Sequence, residues 1–110
     1  MHYQVREDSG YSVVALSGDV DLSSSPQARG AILKALNAGD HVLIDLSGVE
    51  YIDSSGVACL VEGYQLARSR GQRFGLVGVS ENAMSVLALA RLDKVFPIHA
   101  SVAARVAADA

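Results

Sequence analysis

Tryptophan is absent, aromatics make up only 5% of the 110 residues, and there is a single cysteine, Cys59. Without a second thiol the chain can form neither an internal disulfide nor a thiolate metal cluster. Without aromatics, Val, Leu, Ile and Ala must build the core. A basic excess is missing too: 9 Lys and Arg stand against 12 acids, a net charge of −3. That balance argues against a nucleic-acid binder, which needs a basic stripe to neutralise phosphates. No apolar run approaches the roughly 18 residues of a membrane span. The N-terminus, Met1-His2-Tyr3-Gln4-Val5-Arg6-Glu7-Asp8, lacks the basic-then-apolar layout of a signal peptide. A cytoplasmic location is expected, with no direct contact to nucleic acid and no membrane insertion.

What is present is a globular composition, 50% hydrophobic and 19% charged, at a length that suits one domain over residues 1–110. Asp8-Ser9-Gly10 separates two runs of strand formers, 5–7 and 11–17, and predicts a β-hairpin. Gly18-Asp19-Val20-Asp21 then opens a polar loop. Ser25-Pro26 predicts a helix start, with serine at the N-cap and proline at the first helical position. Ala28, Ala31, Ile32, Ala35 and Leu36 follow as an apolar stripe, and Gly39 ends it. His41-Val42-Leu43-Ile44-Asp45-Leu46 reads as a strand buried on both faces, followed by a loop over 47–52. Val57, Leu60, Val61, Tyr64 and Ala67 form the next helical stripe, with Glu62, Gln65 and Ser69 facing away and Gly71 closing the helix. A strand over 74–77, a helix capped by Ser80, a short strand over 95–98 and a terminal helix over 101–108 complete the chain. The order β-β-α-β-α-β-α-β-α predicts an α/β fold, with about five strands in a mixed, mostly parallel sheet and helices packed on it.

Ligands and partners of open α/β sheets are met at the carboxyl ends of the strands, where loops lead into helices. Asp53-Ser54-Ser55-Gly56 stands at such a place. A cap explains the Asp and the serines, and contributes about 1 kcal/mol. A phosphate on serine also suits a helix N-terminus, whose macrodipole favours anions. Gly56, poor in a helix interior, would let another molecule come close. The catalytic motifs G-x-S-x-G and S-x-x-K are absent, and Gly75-Leu76-Val77-Gly78 lacks the lysine and spacing of a phosphate loop. His2 lies at the chain end, His41 opens a strand at the far edge from Ser55, and only His99 could serve as a base. Catalysis by this chain is therefore not expected, nor is a bound metal or cofactor.

Three stretches together resemble the STAS domain, the family named for sulfate transporters and anti-sigma-factor antagonists. They are Gly18-Asp19-Val20-Asp21, Leu43-Ile44-Asp45-Leu46-Ser47 and Ile52-Asp53-Ser54-Ser55-Gly56-Val57. The element order agrees, so the likeness runs from about Tyr3 to Ala107. It implies a bacterial anti-sigma-factor antagonist, a monomer or weak dimer, whose unphosphorylated form binds an anti-sigma factor and so frees the sigma factor. That partner is itself a serine kinase of the GHKL type, which would phosphorylate Ser55 with ATP and Mg²⁺, and a PP2C-like phosphatase would reverse the step. By the same likeness Asp21 matches the acid of the family's Gly-Glu-Leu-Asp-type loop. The partner-binding surface would comprise Asp19, Asp21, Asp53, Ser54, Ser55 and Gly56. An alternative from the same family is a cytosolic accessory subunit of a lipid-transport ABC transporter.

Overall fold

The computed structural model describes residues 1–110. Strands β1 (His2–Asp8) and β2 (Tyr11–Val20) form the expected hairpin. Ser9 and Gly10 both take positive φ, the condition for a two-residue turn whose twist matches that of its strands. Helix α1 (Ser25–Asn37), strand β3 (His41–Ile52), helix α2 (Ser54–Ser69), strand β4 (Phe74–Val77) and helix α3 (Glu81–Leu89) follow. A 3₁₀ turn over Leu92–Lys94, strand β5 (Ile98–His99) and helix α4 (Val102–Asp109) end the chain. The sheet order is β1-β2-β3-β4-β5, with only the β1–β2 pair antiparallel. This is the mixed, mostly parallel sheet that the element order predicts.

One face of the sheet carries the main core. Val14, Leu16, Val42, Ile44, Leu46, Phe74 and Leu76 meet the stripes of α1 and α2 and the Ala83 and Leu87 side of α3. Of the α2 stripe, Val57, Leu60 and Ala67 are fully buried, while Val61 and Tyr64 pack at its margin. The other face is covered by α4, where Val102 and Val106 lie on Tyr11, Val13, Leu43 and Val77. Buried Arg105 anchors that helix: its Nη1 donates to the Phe74 carbonyl at 2.9 Å and its Nε to Asp109 at 3.1 Å. Its guanidinium fills the space over Gly75, where an added Cβ would clash. No helix is long and apolar enough to cross a membrane.

Four boundaries differ from expectation, each for a local reason. Val95–Ile98 is not a strand; a 3₁₀ turn precedes it and pairing covers only Ile98–His99. Pro97 has no N–H to give the ladder, but its carbonyl accepts from Leu76 N at 2.9 Å and starts the pairing. Ser25 is not the cap of α1 but its buried first residue, with Ser24 at the N-cap position and Pro26 in the first turn. The stretch from Gly18 to Val20 is strand, not loop, and so is the stretch from Ser47 to Ile52. Two bulges let these segments pair: Ala15 faces Asp45 but Ser17 faces Gly48, and Gly18 faces Val49 but Asp19 faces Tyr51. Each bulge inserts one residue into β3, so its ladder with β2 runs on to Val20–Ile52, past the end of β4. There the start of α3 takes the place of a neighbouring strand. Ser80 Oγ donates to the Val49 carbonyl at 2.7 Å and Asn82 Nδ2 to the Glu50 carbonyl at 2.9 Å.

Candidate functional site

The two bulged strands end together, which places the Asp21 loop beside the Asp53 turn. Val20 and Ile52 are partners in the last rung, and Asp53 N donates to the Val20 carbonyl at 3.2 Å. Asp19, Asp21, Asp53, Ser54 and Ser55 are thus gathered at one end of the sheet.

On the β2 side, Asp21 folds the loop around itself. Its Oδ1 accepts from Ser23 N and Oγ at 3.1 and 2.8 Å, and from Ser24 N at 3.1 Å. The Ser24 hydroxyl accepts from Asp21 N at 2.9 Å and lies 3.0 Å from the Asp19 carbonyl and 3.1 Å from Asp21 Oδ1, so its one proton serves one of these oxygens at a time. The Ser23 hydroxyl first, then the Ser24 N–H, hold the Asp21 carboxyl below its ordinary range. The Asp19 carboxylate is exposed and makes no hydrogen bond.

On the β3 side, Asp53 caps α2. Its Oδ1 accepts from Ser55 N at 2.9 Å and Gly56 N at 3.2 Å, while its carbonyl accepts from Val57 N at 3.0 Å. The amides that give a helix start its affinity for anions are therefore largely satisfied by this carboxylate. Ser54 and Ser55 occupy the first turn, the former exposed and the latter half-buried, and neither hydroxyl takes part in a hydrogen bond. Two unengaged nucleophilic oxygens thus stand on a turn whose backbone is held by Asp53.

Gly56 serves a different purpose from the open approach that its small size suggests. It is buried, and an added Cβ would lie 2.7 Å from Ile52 Cγ1, 2.8 Å from the Val20 carbonyl and 2.9 Å from Val20 Cγ1. The space over Gly56 is filled by the protein itself, so the missing side chain lets α2 seat against the ends of β2 and β3. Cys59 Sγ, one turn on, lies 3.3 Å from both the Ser55 and the Ser25 carbonyl, between the starts of α1 and α2, and its one proton serves one of them at a time. Burial, and then the nearby Glu62, pushes its thiol upward, away from the reactive thiolate.

The histidines do not reach the serines. His41 lies at the opposite end of β3, where its Nδ1 accepts from Arg73 N at 2.8 Å. His99 pairs with Val77, which is level with Asp45. The seven residue-to-residue steps of strand from Asp45 to Ile52 place it on the order of 20 Å from the Asp53 turn.

Two further residues at this end carry no sequence signal of a site. Leu22 is 75% exposed and Tyr51 52% exposed. With Asp21, Ser23 and Asp53 they line a shallow depression of about 550 Å³. Tyr51 belongs to the stretch read as loop, and a leucine between Asp21 and Ser23 has no periodic partner to mark it.

Comparison with known proteins gives consistent matches over nearly the whole chain. A family model described as "Mlab, STAS domain" matches residues 3–99. The anti-sigma F factor antagonist of Paenibacillus polymyxa is 24% identical over 101 residues, covering 90% of this chain and 86% of that protein. The anti-sigma-B factor antagonist of Bacillus subtilis is 23% identical over 100 residues, covering 91% and 92%. The crystal structure of an anti-sigma factor antagonist from Mycobacterium paratuberculosis superposes with a TM-score of 0.84 at 29% identity, covering 94% of this chain and 93% of that one.

Proposed function

The chain belongs to the STAS domain family, and on that footing we propose that it is an anti-sigma-factor antagonist operating in the cytoplasm as a phosphorylation-controlled partner switch. The observation that carries this reading is the free Ser55 hydroxyl on a turn held by Asp53, beside the Asp21 loop. Unphosphorylated, the surface of Asp19, Asp21, Asp53, Ser54 and Ser55 binds an anti-sigma factor and releases the sigma factor. That partner is a GHKL-type serine kinase. Ser55 Oγ attacks the γ-phosphorus of its Mg²⁺-bound ATP, the hydroxyl proton passes to a base of the kinase, and ADP leaves. A PP2C-like phosphatase hydrolyses the phosphoserine and resets the switch. In this scheme the chain is a substrate and regulator, not a catalyst.

The geometry supports a switch that works by repulsion. A phosphate on Ser55 would bring a charge of about −1.5 to −2. The Ser55 and Gly56 amides already serve Asp53, so the helix start has little left with which to neutralise it. The new charge would add to Asp19, Asp21 and Asp53 in the middle of the binding surface. Like charges brought together across an interface cost several kcal/mol, enough for orders of magnitude in affinity.

The test is reconstitution with the GHKL-type kinases encoded in the same genome, ATP and Mg²⁺. One added phosphate is expected, located at Ser55 by fragmentation, and Ser55→Asp should lose kinase binding. Phosphate on another residue, or undiminished binding by Ser55→Asp, would overturn the reading. Stable co-purification with a transporter ATPase, indifferent to Ser55 substitution, would instead favour the lipid-transport accessory subunit.

A further inference from the structure

We infer that the anti-sigma partner is held by an apolar two-point anchor, Leu22 and Tyr51, which enters a pocket ringed by arginine or lysine. The inference rests on the proposed function and names the chemistry of the partner's surface. Six large hydrophobic side chains are exposed on this molecule, and two of them, Leu22 and Tyr51, share the depression between the Asp21 loop and the Asp53 turn. Neither is needed to fold the domain, since Leu22 is 75% exposed and the Tyr51 hydroxyl makes no hydrogen bond. The backbone beneath them is nonetheless firmly held. Leu22 sits within the turn clamped by Asp21, and Tyr51 sits in the ladder opposite Asp19. With the backbone already ordered, binding costs only side-chain rotamer freedom, which is modest for leucine and tyrosine and suits them as anchors.

Charge selects the occupant. Asp21 and Asp53 line the depression, Asp19 pairs with Tyr51 in the ladder and exposed Glu50 precedes Tyr51 in β3; none of the four joins the chain's four ion pairs. A second copy of this chain, docked by two-fold symmetry, would set these four carboxylates against their own images. An anionic membrane or a nucleic acid would be repelled in the same way. A protein surface with an apolar pocket and a basic rim satisfies both features.

The test uses the kinase identified by the reconstitution above, with the whole chain and Leu22→Ala, Tyr51→Ala and the double variant. Each single truncation should weaken binding at least ten-fold, mainly through faster dissociation, and raise KM for Ser55 phosphorylation while leaving kcat within about two-fold. Tyr51→Phe should behave as wild type. Leu22→Ala and Tyr51→Phe should leave the unfolding temperature unchanged, and Tyr51→Ala, which trims a half-covered strand residue, should lower it by no more than roughly a few degrees. Neutralising Asp19 and Glu50 together should slow association and flatten its dependence on salt. If the wild type binds and is phosphorylated but the double variant does so equally well, the anchor is wrong while the proposed function stands. If the double variant converts a wild-type dimer to a monomer without affecting the kinase, the occupant is a second copy and the inference falls. If the wild type is neither bound nor phosphorylated, the proposed function fails and this surface fails with it.

Discussion

Replacing Gly56 by alanine separates two reasons for a glycine in the Asp53 turn. If the glycine were there to let a partner come close, the added methyl would weaken binding and leave the fold intact or slightly firmer. Alanine in a helix gains about 0.5–1 kcal/mol over glycine. The structure predicts the opposite for the fold. The new Cβ would lie within 2.9 Å of three atoms, and one of them is the Val20 carbonyl oxygen, which cannot turn aside as a side chain can. That oxygen also accepts from Asp53 N, so relieving the clash strains the contact between the two halves of the site. Overpacking a tight position costs about 1–3 kcal/mol. Set against the helix gain, the net loss spans about 0–2.5 kcal/mol, centred a little above 1 kcal/mol. For a domain of this size the central value corresponds to a fall of roughly 5–10 °C in Tm. Two other helical glycines calibrate the measurement. An added Cβ at Gly30 has nothing within 4 Å, so Gly30→Ala should raise Tm. At Gly63 it would meet Ile32 Cγ2 at 2.8 Å and Phe74 Cε2 at 3.1 Å, side-chain atoms that can shift, so Gly63→Ala should fall between the two. Thermal unfolding followed by circular dichroism, with urea titrations to check a common m-value, reads all three variants. A Gly56→Ala protein as stable as Gly30→Ala would refute the packing argument.

Asp53→Ala should lower stability by about 1 kcal/mol through loss of the cap on Ser55 N and Gly56 N. Asp53→Asn, whose amide oxygen can still accept, should keep most of it; equal losses in the two variants would show that the charge matters and the acceptor does not. The attachment of α4 should weaken at both ends of the pH scale. The Tyr11 hydroxyl first, and then Arg105, hold the Asp109 carboxyl low. Its contribution is therefore present above about pH 4 and lost as pH falls through the folded value. Burial, and then the bond to Asp109, pushes the Tyr11 phenol up. That contribution is present below about pH 10 and lost as pH rises through the folded value. Chemical denaturation across pH should show both limbs, and Tyr11→Phe should remove the alkaline one; an unchanged alkaline limb would assign it elsewhere.

The residues that build the site differ sharply in how much of their role local pattern can carry. Helices α1 and α2 are written in stripes of period near 3.6, and Val42–Ile44 in an unbroken apolar run, so these elements can be read from the sequence. The far half of β3 cannot. Its buried positions are Ile44, Leu46, Val49 and Ile52, spaced two, three and three apart. That spacing matches neither the alternation of a flat strand nor the period of a helix, because each bulge has slipped one residue out of register. Nothing local marks a bulge; it follows from the fit of ten residues of β2 against twelve of β3. Gly48 is one local trace, since a Cβ there would lie 2.8 Å from Ser17 Cβ at the first slip. The same slips decide the site. Without the two inserted residues, Val20 would pair short of Ile52, and Asp21 and Asp53 would end on different levels. Motif resemblance could put Asp21 and Ser55 on one surface without saying how they arrive there. It could not find Leu22 and Tyr51, which become neighbours only because the irregular half of the ladder carries Tyr51 level with Asp19.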